Sequence, residues 1–113
     1  MAIQDWLLPG ENIKYVAPAS VSFSGSSWRF LITSERLILY SKKGSLFSKE
    51  KVIAERIEDL VSMSYGEHYE LFQKRGLLQV RFRDIIRKYS GSPENMKEIW
   101  HNLQPYIRRE SKS

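Results

Sequence analysis

His68 and His101 are the two histidines of this chain, and their placement argues against metal chemistry. One falls in a predicted strand and the other in a predicted helix, with no H-E-x-x-H or comparable ligand spacing. The absence of cysteine removes thiolate ligands and a thiol nucleophile. Serine is frequent, yet no G-x-S-x-G elbow occurs, and Ser24-Gly25-Ser26-Ser27 lacks the lysine of a phosphate loop. Glu58 and Asp59 are adjacent, so at strand spacing they face opposite ways. No set of residues fills the roles of nucleophile, base and charge stabiliser, and the expectation is a non-enzymatic chain with no cofactor.

The residues that do suggest binding chemistry are cations. Lys42, Lys43, Lys49 and Lys51 surround Leu46 and Phe47 in the stretch 42–51. Such a loop fits an anionic membrane or a partner's groove, with the two apolar side chains inserted and the lysines on acidic groups. Each lysine contributes about 1 kcal/mol near an anionic leaflet, and each inserted side chain about 1.5 to 3 kcal/mol. The alternative is that Leu46 and Phe47 extend the flanking strands and face the core. A second basic face is expected on the last strands, where Gln79, Arg81 and Arg83 point outward together, followed by Arg87 and Lys88. Interleaved Phe82 and Tyr89 raise nucleic acid as a ligand, but alternation sends Phe82 inward, away from the arginines, so a base-stacking platform is not expected. The plainer alternative is a solvated face with Arg81 paired to Glu70.

These charges are unevenly spread around a net +5. Residues 42–51 and 74–90 are basic, whereas Glu55, Glu58, Asp59, Glu67 and Glu70 make 54–70 acidic. A sheet with one acidic and one basic side could pair head to tail with its own copies, a contact that closes into rings or runs on as filaments.

The elements that must carry these residues show a period of two, which puts successive side chains on opposite faces of a strand. Trp28, Phe30 and Ile32 alternate with Arg29, Leu31 and Thr33, and Thr33-Ser34-Glu35-Arg36 predicts a tight hairpin into Leu37–Tyr40. Val52 and Ala54 share one side, and Val61, Met63 and Tyr65 alternate with Leu60, Ser62 and Ser64. Ile57–Leu60 between them predicts a short helical turn. A hairpin centred on Arg75-Gly76 pairs Leu71 with Val80, Tyr69 with Phe82 and Glu70 with Arg81, keeping apolar pairs on one face. Arginine is an unusual first residue for a two-residue turn, so a bulge is expected there. Residues 13–23 predict one irregular strand interrupted by Pro18, followed by a loop at residues 24–27. In all, about seven short strands precede residue 90.

The period then changes. Ser92 suits an N-cap and Pro93 the first helical position, and Met96, Ile99, Trp100, Leu103, Tyr106 and Ile107 recur at helical spacing. Pro105 predicts an end or kink near Leu103. Trp28 and Trp100 fall on apolar sides and read as core. Trp6, in the apolar segment Ile3–Leu8, reads as cover for a sheet edge or as a contact with a second protomer.

At 113 residues and 42% apolar content, one domain with one core is expected. No apolar run approaches a membrane span and the N-terminus is unlike a signal peptide. With no cysteine, this favours a cytoplasmic protein whose membrane contact is peripheral.

Seven strands and a C-terminal helix resemble the element order of pleckstrin-homology-like barrels in their compact prokaryotic form. Leu7-Leu8-Pro9-Gly10-Glu11 is similar to their opening L-P-G-E, and residues 31–40, Leu-Ile-Thr-Ser-Glu-Arg-Leu-Ile-Leu-Tyr, to their L-T-x-x-R-L-I-x-Y hairpin, also found in GRAM-related domains. The resemblance implies a mainly β fold, a partly open antiparallel barrel capped by the amphipathic helix. It divides the chain into an N-terminal segment 1–10, the domain 11–107 and a flexible basic tail 108–113. It also implies a scaffold for lipids, peptides or self-association without catalytic residues. The phosphoinositide pattern K-x(n)-[KR]-x-R is incomplete, because Ile13–Phe30 offers only Lys14 and Arg29 and the second arginine falls at Leu31. A protein partner or homo-oligomer is therefore the first expectation, anionic lipid the second and nucleic acid the last.

Overall fold

The alternating segments fold into antiparallel strands β1 (Ile13–Val16), β2 (Val21–Phe23), β3 (Ser26–Thr33), β4 (Arg36–Lys43), β5 (Lys49–Arg56), β6 (Leu60–Glu70), β7 (Gln73–Phe82) and β8 (Ile86–Gly91). Helix α1 (Pro93–Leu103) follows, and short 3-10 turns occupy Ile3–Trp6, Ile57–Asp59 and Gln104–Tyr106. The structure, a computed structural model, describes residues 3–43 and 49–107. Leu46, Phe47 and the tail 108–113 lie outside the described residues. The strands run in the order β5-β4-β3-β2-β8-β7-β6, with β1 also on β3. Among the described residues β6 does not pair with β5, so the barrel stays open, as the sequence leads one to expect.

The expected single strand over residues 13–23 is two strands. β1 pairs with the end of β3 (Val16 opposite Leu31) and β2 with its start (Val21 opposite Trp28), while β2 also meets β8 at Ser22 and Ser90. Pro18 stands in the gap, where its missing N–H needs no partner. The break lets the chain turn a corner from one half of the barrel to the other while β3 supports both halves. Asn95 of α1 holds this corner: its Nδ2 donates to the Ala19 carbonyl at 2.9 Å, and the Ala19 N–H donates to Oδ1 at 3.3 Å. The expected loop at residues 24–27 contracts to Ser24-Gly25, both at positive φ (54° and 80°), and β3 already begins at Ser26.

The hairpin expected at Arg75-Gly76 turns instead at Leu71-Phe72, with Glu70 opposite Gln73, Tyr69 opposite Lys74 and Met63 opposite Val80. Gly76 is a strand residue selected by packing: a Cβ there would lie 2.7 Å from Tyr65 Oη and 3.2 Å from Met96 Cβ. The expected and observed partners of Val80, Leu71 and Met63, differ by an even number of residues. The inward face of Val80 was therefore right while the register was wrong, because only an odd slip exchanges the faces, but Leu71 and Tyr69, expected on the same apolar face, are 91% and 73% exposed. A bulge between Leu60 and Ser62 adds a second correction. Leu60 opposes Phe82 and is fully buried, whereas Val61 is exposed rather than sharing the side of Met63 and Tyr65.

Helix α1 begins as expected. The Ser92 hydroxyl accepts from the Asn95 N–H at 3.3 Å, Pro93 follows, and the α-helix gives way to a 3-10 turn at Gln104 before Pro105. Met96, Ile99 and Leu103 are fully buried against Phe30, Ile32, Leu37, Leu39, Val80 and Tyr89, with Trp28 at the margin and Trp100 packed against the cluster. A smaller cluster of Leu31, Ile38 and Tyr40 forms on the outer face of β3 and β4, with Leu7, Val52 and Ala54 against it.

The N-terminal segment is pinned there by a polar knot. Glu11 accepts from Arg36 Nε at 3.0 Å and Nη2 at 2.8 Å, from the Leu8 N–H at 2.7 Å and from the Thr33 hydroxyl. Arg36 Nη2 also donates to the Trp6 carbonyl at 2.8 Å. The Trp6 indole N–H donates to Glu50 Oε1 at 3.2 Å, which ties the segment to strand β5.

Candidate functional site

Three lysines of residues 42–51, Lys42, Lys49 and Lys51, emerge on two faces of adjoining strand ends. On β5, Lys49 and Lys51 share the inner side and line the barrel mouth with Ser26, Trp28 and Ser41, around a cleft of about 100 Å³. The floor is fixed because the Trp28 indole N–H donates to the Phe23 carbonyl at 3.1 Å. On the outer face, Arg29 and Lys42 line a cleft of about 470 Å³ with Ser20, Ser27 and Tyr40. Arg29 stands opposite Tyr40 in the register, and Ser41 opposite Lys51, so three strands deliver the charges. Arg29, Lys42, Lys49 and Lys51 make no ion pair with any described residue. Lys43 ends β4, opposite Lys49. Arg29 joins this group unforeseen: spacing within the lysine stretch carries no information about β3. Leu31, where the phosphoinositide pattern wants an arginine, is buried in the outer cluster.

The second basic face is thinner than its sequence. Arg87 Nη2 meets Glu55 Oε2 at 2.6 Å and its guanidinium lies 5.4 Å from the centre of the Phe23 ring, so that charge is used internally. Arg83 lies 3.8 Å from Asp59. Arg81 stands opposite Ser62, not Glu70, and it and Lys88 are exposed without an acidic partner among the described residues. Phe82 and Tyr89 are 2% and 1% exposed, which leaves no ring beside these cations for a base to stack on.

The acidic segment 54–70 and the basic segment 74–90 are not opposite sides of the molecule. They pair with one another within the chain: Glu67 with Lys74 at 3.4 Å, Glu70 with Arg75 at 3.6 Å, Asp59 with Arg83 and Glu55 with Arg87. The register of adjacent strands β6 and β7 brings the first two pairs together, while Asp59 in the turn before β6 and Glu55 on β5 meet Arg83 after β7 and Arg87 on β8. Glu67 also accepts from the Tyr65 hydroxyl at 2.8 Å and lies 3.3 Å from Lys97 Nζ. The Tyr65 bond and Lys97 hold its carboxyl below the usual range.

Burial, with the Glu67 bond second, pushes the Tyr65 phenol up to about 12. Burial and the charge of Glu98 do the same to Tyr15, also to about 12. Phenols so raised stay protonated at neutral pH and supply no base or nucleophile. His68 and His101 are both exposed, and among the described residues no group of three or more His, Asp or Glu side chains is placed to hold a metal ion. Among those residues no helix is long and apolar enough to cross a membrane.

Two residues that sequence reasoning missed stand out. Leu71 and Phe72 form the tip of the β6–β7 hairpin, 91% and 102% exposed, with Tyr69 73% exposed behind them. Neither glycine nor asparagine marks that turn, so the local sequence gave no cue.

The chain matches no protein-family model and no curated protein. Its backbone is similar to the crystal structure of a pleckstrin homology domain from Shewanella amazonensis SB2B, with a TM-score of 0.60 and 15% identity over 92% of this chain and 90% of that one. At that identity the likeness speaks for architecture, and with the open barrel and terminal helix it establishes that this chain has a pleckstrin-homology-like fold.

Proposed function

We propose that the chain is a non-catalytic binding module that docks peripherally on anionic membrane lipid through the strand ends bearing Arg29, Lys42, Lys49 and Lys51. One observation carries the reading: these cations sit on the two faces of adjoining strand ends with no acidic partner among the described residues, while most charges of the β6, β7 and β8 segments are paired within the chain. Leu46 and Phe47 lie between these lysines in sequence and join the contact in this reading. Anionic headgroups are met from strands β3, β4 and β5 instead of the usual first pair of strands, which accommodates the missing arginine at Leu31. At about 1 kcal/mol per cation the attraction is weak and salt-dependent.

The test is sedimentation with phosphatidylcholine vesicles containing about a third phosphatidylserine, a composition whose surface potential attracts lysine. The triple substitution Lys42→Glu, Lys49→Glu and Lys51→Glu should weaken binding on the order of 100-fold. Unchanged binding by that variant removes the proposal.

A second reading, protein interaction or self-association, has a specific observation in its favour. β6 is an 11-residue strand that pairs with β7 and with no other described strand, leaving an edge open to a second copy or another chain.

A further inference from the structure

The turn Leu71-Phe72 has a geometry unfavourable to its own residues. Both lie in the left-handed region, at φ 51° and 65°, where the favoured occupants of a two-residue hairpin are Asn and Gly. Their side chains are 91% and 102% exposed, so folding gains almost nothing from their apolar surface. We infer that this tip inserts into the apolar layer of a lipid bilayer as a contact separate from the lysine-bearing strand ends. The inference rests on the membrane reading above for its setting, not for its residues.

Three features favour a bilayer. The hairpin ladder continues to Glu70 and Gln73, so the backbone groups that face across the hairpin are paired up to the turn, which limits the unpaired groups carried toward a medium that cannot satisfy them to the two turn residues and the outward edges. The charges just behind the tip are already matched, Glu70 by Arg75 and Glu67 by Lys74, Lys97 and the Tyr65 hydroxyl, which lessens the cost of drawing them toward lipid. Tyr69, 73% exposed, stands two residues behind Leu71, about 7 Å along the strand, where an amphipathic ring meets the headgroups. A second copy offers a poor receptor. The cleft at the barrel mouth is about 100 Å³ and lined by Lys49 and Lys51, and the one bounded by Phe23 and Ile86 also carries Ser24, Gln79 and Lys88.

The test compares the full chain with the variant Leu71→Asn/Phe72→Gly on two kinds of vesicle, phosphatidylcholine alone and phosphatidylcholine with phosphatidylserine. The variant suits the turn better and should melt at the same temperature or higher, so a loss of binding is not a loss of fold. It is expected to bind neutral vesicles at least about tenfold more weakly than the original chain. Because the chain has no cysteine, Leu71→Cys carrying an environment-sensitive fluorophore reports the tip alone, and its emission should shift to the blue on neutral vesicles. Equal neutral-vesicle binding by the two proteins overturns the inference, as does an unshifted label. So does a drop in oligomeric mass in the Asn-Gly variant without any vesicle binding by the original, which assigns the tip to a second copy. If the lysine variant keeps its anionic-vesicle binding while the Asn-Gly variant loses it, the lysine reading fails and the tip stands. The reverse result retains the lysines and discards the tip.

Discussion

Glu11 keeps its charge because Arg36 lies against both of its oxygens, and this gives its stabilising effect a definite pH dependence. The hydrogen bonds from Arg36, opposed by burial and assisted by the Leu8 N–H, lower its pKa from 4.5 to about 2. A carboxyl depressed on folding stabilises the native state above its unfolded pKa, and that contribution is lost as pH falls through the folded one. The window is therefore from 4.5 down to about 2. Glu11→Gln should cost about 3 kcal/mol at neutral pH, since Arg36 loses its partner in a partly buried site. Urea unfolding should show the gap between variant and parent narrowing across that window; a gap independent of pH would mean that the charge of Glu11 is immaterial. The two motifs that meet here, Leu7–Glu11 and Leu31–Tyr40, were readable as text. Their contact was not, because periodicity assigns faces and is silent about which distant residues share them.

The β6–β7 hairpin shows the same limit in one element. Alternation identified the inward side of Val80 and Phe82, but away from the bulge at Leu60 a slip by an even number of residues leaves that side unchanged, so only the turn could fix the register. Leu71-Phe72 carries no turn residue, and Gly76 imitates one while serving as clearance for Tyr65. Gly76→Ala should accordingly destabilise the chain by about 1 to 3 kcal/mol, the range for overpacking a closed core. Tyr65→Phe removes the nearest atom, at 2.7 Å, and should recover part of that loss in a double-mutant cycle. Additive effects would show that the two side chains do not compete for one space. By contrast, helix α1 was legible from Ser92 to Leu103, since its cap, its first proline and its apolar spacing agree.

At the scale of the molecule, the separation of acidic and basic segments along the chain does not survive folding. Strand adjacency turns 54–70 and 74–90 into mutual partners, so head-to-tail attraction between copies loses the charges that were to drive it. Among the described residues the cations left without an acidic partner include Arg29, Lys42, Lys49 and Lys51 on β3, β4 and β5, together with Lys14, Arg81 and Lys88. Two kinds of association therefore respond differently to salt. Contact with an anionic surface depends on screened charge and weakens as the Debye length falls from about 10 Å at 0.1 M to about 3 Å at 1 M. Association through the open edge of β6 rests on backbone hydrogen bonds and apolar contact, which salt hardly screens. Light scattering after size exclusion should thus give the same distribution of masses at low and high salt, monomeric or not, while vesicle binding falls over the same range. An oligomer that dissociates as salt is raised would return self-association to the charged segments and show that the intrachain pairs leave enough free charge to join molecules.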